Sequence, residues 1–170
     1  MYKWTVNFKF LPEEVFLSKK LSIVLLLMTV FTLVLFSYKW ISENNKYLVN
    51  KYGKNYKRNS IIGVGKLCPN FIILTIFTSN FIGIAFARTL HYQFYSWYFH
   101  MIPYILWHIN IPVILKLTLF IFIEVSFNIF PATSLSSSIL QVSHMIILLG
   151  IWFTPAPIAI IKDESKNKTK

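Results

Sequence analysis

The chain has 170 residues, of which 55% are hydrophobic and 14% charged, with a mean hydropathy of +0.56 and a formal net charge of +11. This composition excludes an ordinary soluble globular domain, in which about a quarter of the residues are charged, and indicates a membrane protein. Most basic residues lie in three polar stretches, at the beginning, between Lys39 and Lys66, and at the end, which favours topology signals over a nucleic-acid interface. Cys68 is the only cysteine, so neither an internal disulfide nor a thiolate metal cluster can form.

The apolar runs predict an all-α polytopic membrane bundle, since about 20 apolar residues suffice to cross the hydrocarbon core. Residues 21–38 form the first predicted span. Residues 39–68 follow as a predicted cytoplasmic loop, because they carry seven basic residues against Glu43 alone. Residues 71–87 form the second predicted span, with Pro69 near the first turn, where a missing N–H costs little.

Residues 92–107 are apolar enough for a third membrane element, but Pro103 and several polar-tipped rings interrupt them. Crossing, kinking and re-entry are all open for this stretch. If it crosses, the chain has five spans. The beginning of the chain then lies in the lumen or outside the cell, and the lysine-rich tail, residues 155–170, lies in the cytoplasm.

Two further spans are predicted at residues 111–130 and 138–153. Asn110 and Pro112 are typical of an N-cap and a first-turn proline, and Pro131 ends the earlier of the two spans. The sequence PATSLSSS, which begins at Pro131, is predicted to cap the N-terminus of the last span.

The densest polar feature in the apolar region is the stretch from His91 to His100, which holds six aromatic rings, two imidazoles and a glutamine. A continuous helix would group these side chains on two faces, one with His91, Tyr95 and Tyr98 and the other with Gln93, Trp97 and His100. An interfacial aromatic belt explains tryptophan and tyrosine at this depth. The histidines and the glutamine favour a carbohydrate site, because sugar C–H faces pack on rings while hydroxyls need hydrogen-bond partners.

Arg88, at the edge of the second predicted span, has two interpretations. As a membrane-edge anchor, it keeps its guanidinium in the headgroup region at little cost. Beside His91, it is instead suited to bind a phosphate in bidentate fashion and to stabilise the charge left when a phosphate departs.

Glu124 lies inside the fourth apolar run, and Asn128 follows one turn later. An intramembrane carboxylate marks either a substrate site or a paired structural group, and we favour structural pairing here. Lys116 lies two turns earlier, too far along a helix for direct contact. His144, in the last span, is interpreted as an interhelical hydrogen-bonding residue rather than a ligand.

The sequence lacks the groups that several other chemistries need. It has no paired-aspartate motif, Gly-rich phosphate loop, Walker motif or nucleophile elbow. A histidine metal site is not expected, because His91 and His100 lie on opposite faces of the predicted helix. By the predicted topology, Glu13 and Glu14 are the only acidic residues on the side of the aromatic stretch, and they are poor candidates for a positioned base.

Three stretches give the chain a long and specific resemblance to a known family: YKWTVNFKFLPEEVFLSK from Tyr2, FTSNFIGIAFARTLHYQFYSWYFHMIPYILW from Phe77, and IEVSFNIFPATSLSSSILQVSHMIILLGIW from Ile123. The chain resembles the dolichyl-phosphate-mannose-dependent alpha-1,3-mannosyltransferases of the endoplasmic reticulum. These enzymes add the first lumenal mannose to the lipid-linked oligosaccharide used in asparagine-linked glycosylation. The resemblance covers nearly the whole chain apart from the stretch between Lys39 and Lys66.

The resemblance implies a GT-C fold, a polytopic all-α architecture, with no cofactor and no metal. It implies dolichyl-phosphate mannose as donor and a five-mannose oligosaccharide on dolichyl pyrophosphate as acceptor, with inversion at the transferred sugar. The residues expected to bind phosphate or sugar are Arg88, His91, Tyr92, Gln93, Tyr95, Trp97, Tyr98 and His100. Since the match is to the C-terminal part of the family, the catalytic carboxylate is expected in a missing N-terminal half.

Two other expectations complete the sequence reading. The alternative function is a truncated, non-catalytic membrane fragment or subunit that binds lipid-linked sugar without turnover. A small transporter is less favoured, because Glu124 is the only acidic residue at a midplane position.

The ending KNKTK, with Lys166 and Lys168, resembles a dilysine signal that retrieves membrane proteins to the endoplasmic reticulum. A solvated lysine-rich tail is the alternative for these two residues.

Overall fold

The structure is a computed structural model that describes residues 2–53 and 65–162, so Lys166 and Lys168 of the predicted retrieval signal lie outside the described residues. It is all-α apart from two paired three-residue strands, which confirms the predicted fold class. In chain order the elements are a 3-10 turn at Tyr2–Trp4, α1 at Glu13–Leu17, α2 at Lys19–Tyr52, β1 at Gly65–Leu67, α3 at Pro69–Ala85, a second 3-10 turn at Tyr92–Phe94, α4 at Tyr95–Tyr98, α5 at Met101–His108, α6 at Val113–Asn128, α7 at Ser134–Phe153 and β2 at Ile160–Lys162.

Two of the described helices, α2 and α7, are long and apolar enough to cross a membrane. Helix α2 begins at the N-cap Ser18, whose Oγ accepts a hydrogen bond of 3.2 Å from the backbone N–H of Leu21. Much of its apolar surface is open, for example Leu27 at 62% and Phe31 at 64% exposure. A helix that is apolar on nearly all sides while so exposed is suited to a lipid environment.

Helix α2 extends beyond the predicted end of the first span at residue 38, so residues 39–52 of the predicted cytoplasmic loop are helical. Tertiary contacts hold this extension in place. Trp40 and Leu48 are buried, Glu43 Oε2 accepts a hydrogen bond of 2.9 Å from the N–H of Ala156, and Asn44 Oδ1 accepts one of 2.7 Å from the N–H of Ala159. These bonds fasten the polar end of α2 to the chain that follows α7.

The structure confirms several predicted helix boundaries and corrects one. Pro69 occupies the first turn of α3, as predicted. Thr133 caps α7 in a capping box with Ser136, which confirms the predicted role of PATSLSSS. The N-cap residue of α6 is Pro112 rather than Asn110, because the helix begins at Val113; the backbone N–H of Asn110 donates to Thr154 Oγ1 at 3.1 Å.

The stretch 92–107 is broken into a 3-10 turn and two short helices, so it is not one continuous helix. It nevertheless runs antiparallel to α3. The ring of Tyr98, near its beginning, lies 6.1 Å from that of Phe81, and the hydroxyl of Tyr104, further on, donates a hydrogen bond of 3.3 Å to the carbonyl O of Asn70 at the start of α3. The kinked stretch therefore passes along most of the length of α3.

Candidate substrate site

The N-terminal segment is held against the segment that follows α3 by buried hydrogen bonds. The backbone N–H of Val6 donates to the carbonyl O of Leu90 at 2.7 Å, and Asn7 Nδ2 donates to the carbonyl O of Ala87 at 3.1 Å. Thr5 forms an antiparallel bridge with His91. Because the side chains of residues 5–7 are fully buried, this pairing fixes the backbone on both sides.

The same segment is also attached to the beginning of α7. The N–H of Lys9 donates to Ser137 Oγ at 2.9 Å, and Ser134 Oγ donates to the carbonyl O of Lys9 at 3.2 Å. The Lys9 amine lies 3.9 Å from the centre of the Tyr2 ring. Burial lowers the pKa of this amine, and the nearby charge of Glu13 opposes that shift.

A cavity of about 470 Å³ opens where these segments meet, and the described residues that line it are Trp4, His91, Tyr92 and Gln93. His91 Nδ1 lies 3.1 Å from the carbonyl O of Trp4, and the Tyr92 hydroxyl donates to the carbonyl O of Ile129 at 2.8 Å. Both side chains are thereby held in place. The cavity thus brings together three of the predicted binding residues and adds Trp4, which was not predicted.

Arg88 is half-buried and contacts the beginning of α2 rather than the described cavity lining. Its Nη1 donates to the carbonyl O of Ser18 at 3.5 Å, and its guanidinium carbon lies 5.9 Å from the centre of the Phe16 ring. This is a long hydrogen bond, and a guanidinium has five N–H donors. The contacts therefore orient Arg88 while leaving donors that suit either the anchor or the phosphate interpretation.

The predicted helical face of His91, Tyr95 and Tyr98 is formed only in part. Tyr95 and Tyr98 lie on one side of α4, with ring centres 6.0 Å apart, whereas His91 precedes the 3-10 turn and lines the cavity. The Tyr95 hydroxyl donates a hydrogen bond to Glu124 Oε2, and Asn128 Nδ2 donates to Glu124 Oε1 at 3.1 Å. Glu124 is therefore paired with residues of α4 and α6, as the favoured structural interpretation expected. Lys116 contacts Trp107 instead.

Tyr98 is completely buried, and its hydroxyl lies 3.1 Å from Nε2 of the equally buried His144. The interhelical hydrogen bond predicted for His144 is therefore present. The Phe81 ring packs against both side chains, at 6.1 Å from Tyr98 and 5.2 Å from His144. Since no surface of Tyr98 is open, its predicted contact with phosphate or sugar is corrected to a role in packing.

The remaining predicted residues, Trp97 and His100, lie on the surface away from the described cavity lining. Trp97 is 60% exposed and packs on Phe94 with ring centres 4.5 Å apart. His100 lies edge-on to Phe77 of α3 at 6.1 Å. The other predicted helical face, which also included Gln93, is therefore not formed as one surface.

Two aromatic residues at the cavity escaped the sequence analysis. Trp4 stacks on Phe130, with ring centres 5.5 Å apart and planes 29° apart, and the edge of Tyr92 meets Phe130 at 5.6 Å. A tryptophan three residues from the beginning carries no periodic signal, and Phe130 lay at the end of a predicted span. The pairing of residues 5–7 with residues 87–91 positions Trp4, and the contacts of Tyr92 with Ile129 and Phe130 bring in the third segment.

The model of the ALG3 protein family matches residues 1–137 of the chain. The chain belongs to the ALG3 protein family. Within the curated proteins, it is 39% identical over 162 residues to the Arabidopsis thaliana protein named Dol-P-Man:Man(5)GlcNAc(2)-PP-Dol alpha-1,3-mannosyltransferase, covering 90% of this chain and 37% of that protein. It is 40% identical over 170 residues to the Homo sapiens protein of the same name, covering 98% of this chain and 38% of that protein.

The comparison confirms the predicted family resemblance and also sets its extent. The chain spans less than two fifths of the length of these two ALG3 relatives. No solved structure matches it.

Proposed function

We propose that this chain supplies part of an alpha-1,3-mannosyltransferase that uses dolichyl-phosphate mannose as donor. The acceptor would be the five-mannose oligosaccharide on dolichyl pyrophosphate, and the reaction would serve asparagine-linked glycosylation. The observation that carries the proposal is the identity of 39–40% to two proteins whose names state this donor, acceptor and linkage. The donor is already activated, since its phosphate is the leaving group.

In this proposal the substrates bind at the cavity beside the N-terminal segment. His91, Tyr92 and Gln93 contact sugar or phosphate there, and Arg88 contacts the donor phosphate at its edge. A partly buried arginine in sparse contact with protein acceptors supports this role, because a phosphate would satisfy its remaining donors bidentately. Trp97 and His100 would contact only a substrate long enough to extend across the surface of α4 and α5.

The proposed topology is that of a multi-pass endoplasmic-reticulum protein of the GT-C class. Spans near residues 21–38, 71–87, 92–107, 111–130 and 138–153 would cross in alternating directions, as parts of one membrane domain covering residues 1–170. The contacts of the stretch 92–107 support this, because it runs antiparallel to α3 along most of that helix. The cavity would then face the lumen, and the chain after residue 155 would face the cytoplasm.

A second candidate is a fragment or subunit that binds lipid-linked sugar without turnover. One observation favours it: none of the described residues that line the cavity is a carboxylate. Glu124, the carboxylate of α6, is occupied by Tyr95 and Asn128. A transferase that activates a sugar hydroxyl needs a base in contact with it, which would have to come from another segment.

Complementation separates the two candidates. Cells that lack the transferase retain the five-mannose lipid, so the chain is expressed in them either alone or joined to the N-terminal part of the Arabidopsis relative. A six-mannose lipid from the chain alone supports a complete transferase and excludes the non-catalytic candidate. If only the joined protein produces a six-mannose lipid and the chain by itself does not, the chain contributes part of a transferase. Failure of both, with the protein present in the membrane, contradicts the proposed function.

A further inference from the structure

We propose that Trp4 and Phe130 form a stacking platform for an uncharged hexose ring at the mouth of the cavity. This inference rests on the proposed function and deepens it, since it separates a sugar subsite from the phosphate contact of Arg88. The two rings stack 5.5 Å apart with planes 29° apart, and they are 56% and 59% exposed. Since they stack on each other, each ring keeps one face for a ligand; Trp4 is the one of the two that lines the cavity, and Phe130 supports it.

The platform is held in place from both sides. The carbonyl O of Trp4 is bound to His91 Nδ1, and the residue that follows, Thr5, is completely buried in the bridge to His91. Phe130 is fixed against Tyr92, whose hydroxyl bonds to the carbonyl O of the neighbouring Ile129. An exposed ring on a fixed backbone is typical of a binding anchor, because little conformational entropy is lost when a ligand packs on it.

The chemistry of the lining identifies the class of ligand. Among the described lining residues there is no lysine or arginine, so none of them offers a phosphate the bidentate contact that an arginine makes. The exposed Gln93 amide offers both a donor and an acceptor, and Nδ1 of His91 is already engaged, which leaves Nε2 as the ring nitrogen for a ligand. Apolar ring faces bordered by neutral hydrogen-bonding groups match a hexose, whose C–H face packs on rings while its hydroxyls bond at the edge.

Two hexose sources meet these requirements: the mannose of the donor lipid and a mannose of the acceptor oligosaccharide. The test measures KM for each substrate in Trp4→Leu, Trp4→Phe and Phe130→Leu variants of the full chain, in whichever form shows transfer. Trp107→Leu is the matched control, since Trp107 is 78% exposed and contacts Lys116, outside the described cavity lining.

We expect Trp4→Leu and Phe130→Leu to raise one of the two KM values by roughly three- to tenfold, the size of a lost stacking contact. The substrate affected identifies the source of the sugar. Trp4→Phe, which keeps a ring, should restore most of the loss, and the control should resemble the wild type. If Trp4→Leu does not fold, as judged by thermal unfolding in detergent, the KM values of Phe130→Leu and Trp4→Phe are compared instead. Unchanged KM values for both substrates in the folded variants overturn the platform.

An isoprenoid chain packing on the same rings is distinguished with substrates of shortened lipid. A KM effect that persists with short-chain substrates supports sugar stacking, and an effect that disappears with them contradicts it. If the wild type transfers no mannose, the proposed function fails separately. The platform is then tested by calorimetric binding of free mannopentaose, where binding that weakens in Trp4→Leu supports it and absence of binding to the wild type overturns it.

Discussion

The ammonium of Lys39 on α2 donates a hydrogen bond of 2.7 Å to the carbonyl O of Thr154, the residue that caps the end of α7. It also donates to the carbonyl O of Ile151 at 3.1 Å and lies 3.4 Å from Glu43 Oε1. A lysine at a helix C-terminus satisfies carbonyls that have no intrahelical partner and complements the negative end of the helix dipole. This one side chain joins the two described helices that are long enough to cross a membrane.

Replacing Lys39 with methionine should destabilise the protein. The side chain is only 10% exposed, so the carbonyls of Ile151 and Thr154 would lose their partner where water replaces it poorly. We expect a loss of about 2 kcal/mol in the free energy of unfolding, measured in detergent. Lys46→Met, an exposed position on the same helix, is the control and should change little. Equal effects of both substitutions would contradict the capping role.

Gly150 of α7 has no room for a side chain. A Cβ at this position would lie 2.5 Å from Cγ2 and 3.1 Å from Cδ1 of the buried Ile109. Gly150→Ala should therefore destabilise the protein by about 1–3 kcal/mol, as overpacking does elsewhere. Gly83→Ala in α3 is the matched control, because nothing lies within 4 Å of its Cβ, and higher helix propensity should make it neutral or stabilising. Thermal unfolding of both variants measures the difference.

The buried pair of Tyr98 and His144 should be energetically coupled. Tyr98→Phe removes the hydroxyl that lies 3.1 Å from His144 Nε2 and leaves a buried imidazole nitrogen without a partner, at a cost of about 1–3 kcal/mol. His144→Leu removes the other partner. In a double-mutant cycle the combined variant should lose less than the sum of the single variants. Additive losses would show that the hydrogen bond contributes nothing to stability.

The pairing of Tyr95 with Glu124 predicts that removing the Tyr95 hydroxyl destabilises the protein more than removing an exposed tyrosine hydroxyl does. Tyr95→Phe leaves Glu124 with Asn128 as its side-chain partner and should cost about 1.5–3 kcal/mol, the range for a hydrogen bond to a charged group. Tyr104→Phe is the control, because its hydroxyl makes an exposed hydrogen bond to the carbonyl O of Asn70. Free energies of unfolding that fall equally in both variants would exclude a special role for the carboxylate.

The proposed retrieval signal is tested in cells. Replacing Lys166 and Lys168 with alanine should move the protein from the endoplasmic reticulum to later compartments, which microscopy with compartment markers detects. Lys162→Ala and Lys170→Ala, in the same tail, form the control pair and should leave the distribution unchanged. Retention of the double lysine variant in the endoplasmic reticulum would contradict the signal.

Helix positions were predictable from the sequence where a composition change or a strong local signal marks the boundary. Two such signals are the capping sequence at Thr133 and the proline at the start of α3. Both act through neighbouring residues, so they can be recognised in the sequence alone. The extension of α2 to Tyr52 was not predictable, because Glu43 and Asn44 depend on backbone N–H groups more than a hundred residues away.

The site was predictable only in part for the same reason. His91, Tyr92 and Gln93 were identified by their density of polar-tipped rings, and that local signal does locate the cavity wall. The grouping of His91 with Tyr95 and Tyr98 depended on a helix that continued through His91, and the 3-10 turn at Tyr92–Phe94 removes that premise. Trp4 and Phe130 had no local signal, since their contact depends on three distant segments.

The hydrogen-bonded contact between residues 5–7 and residues 87–91 has an evolutionary consequence. It places Trp4 against Phe130, a residue from a distant segment, so substitutions at these two positions affect one shared contact. Across species, the identities at positions 4 and 130 should therefore covary. Residues 5–7, which are buried in this contact, should vary as little as residues of the protein interior do.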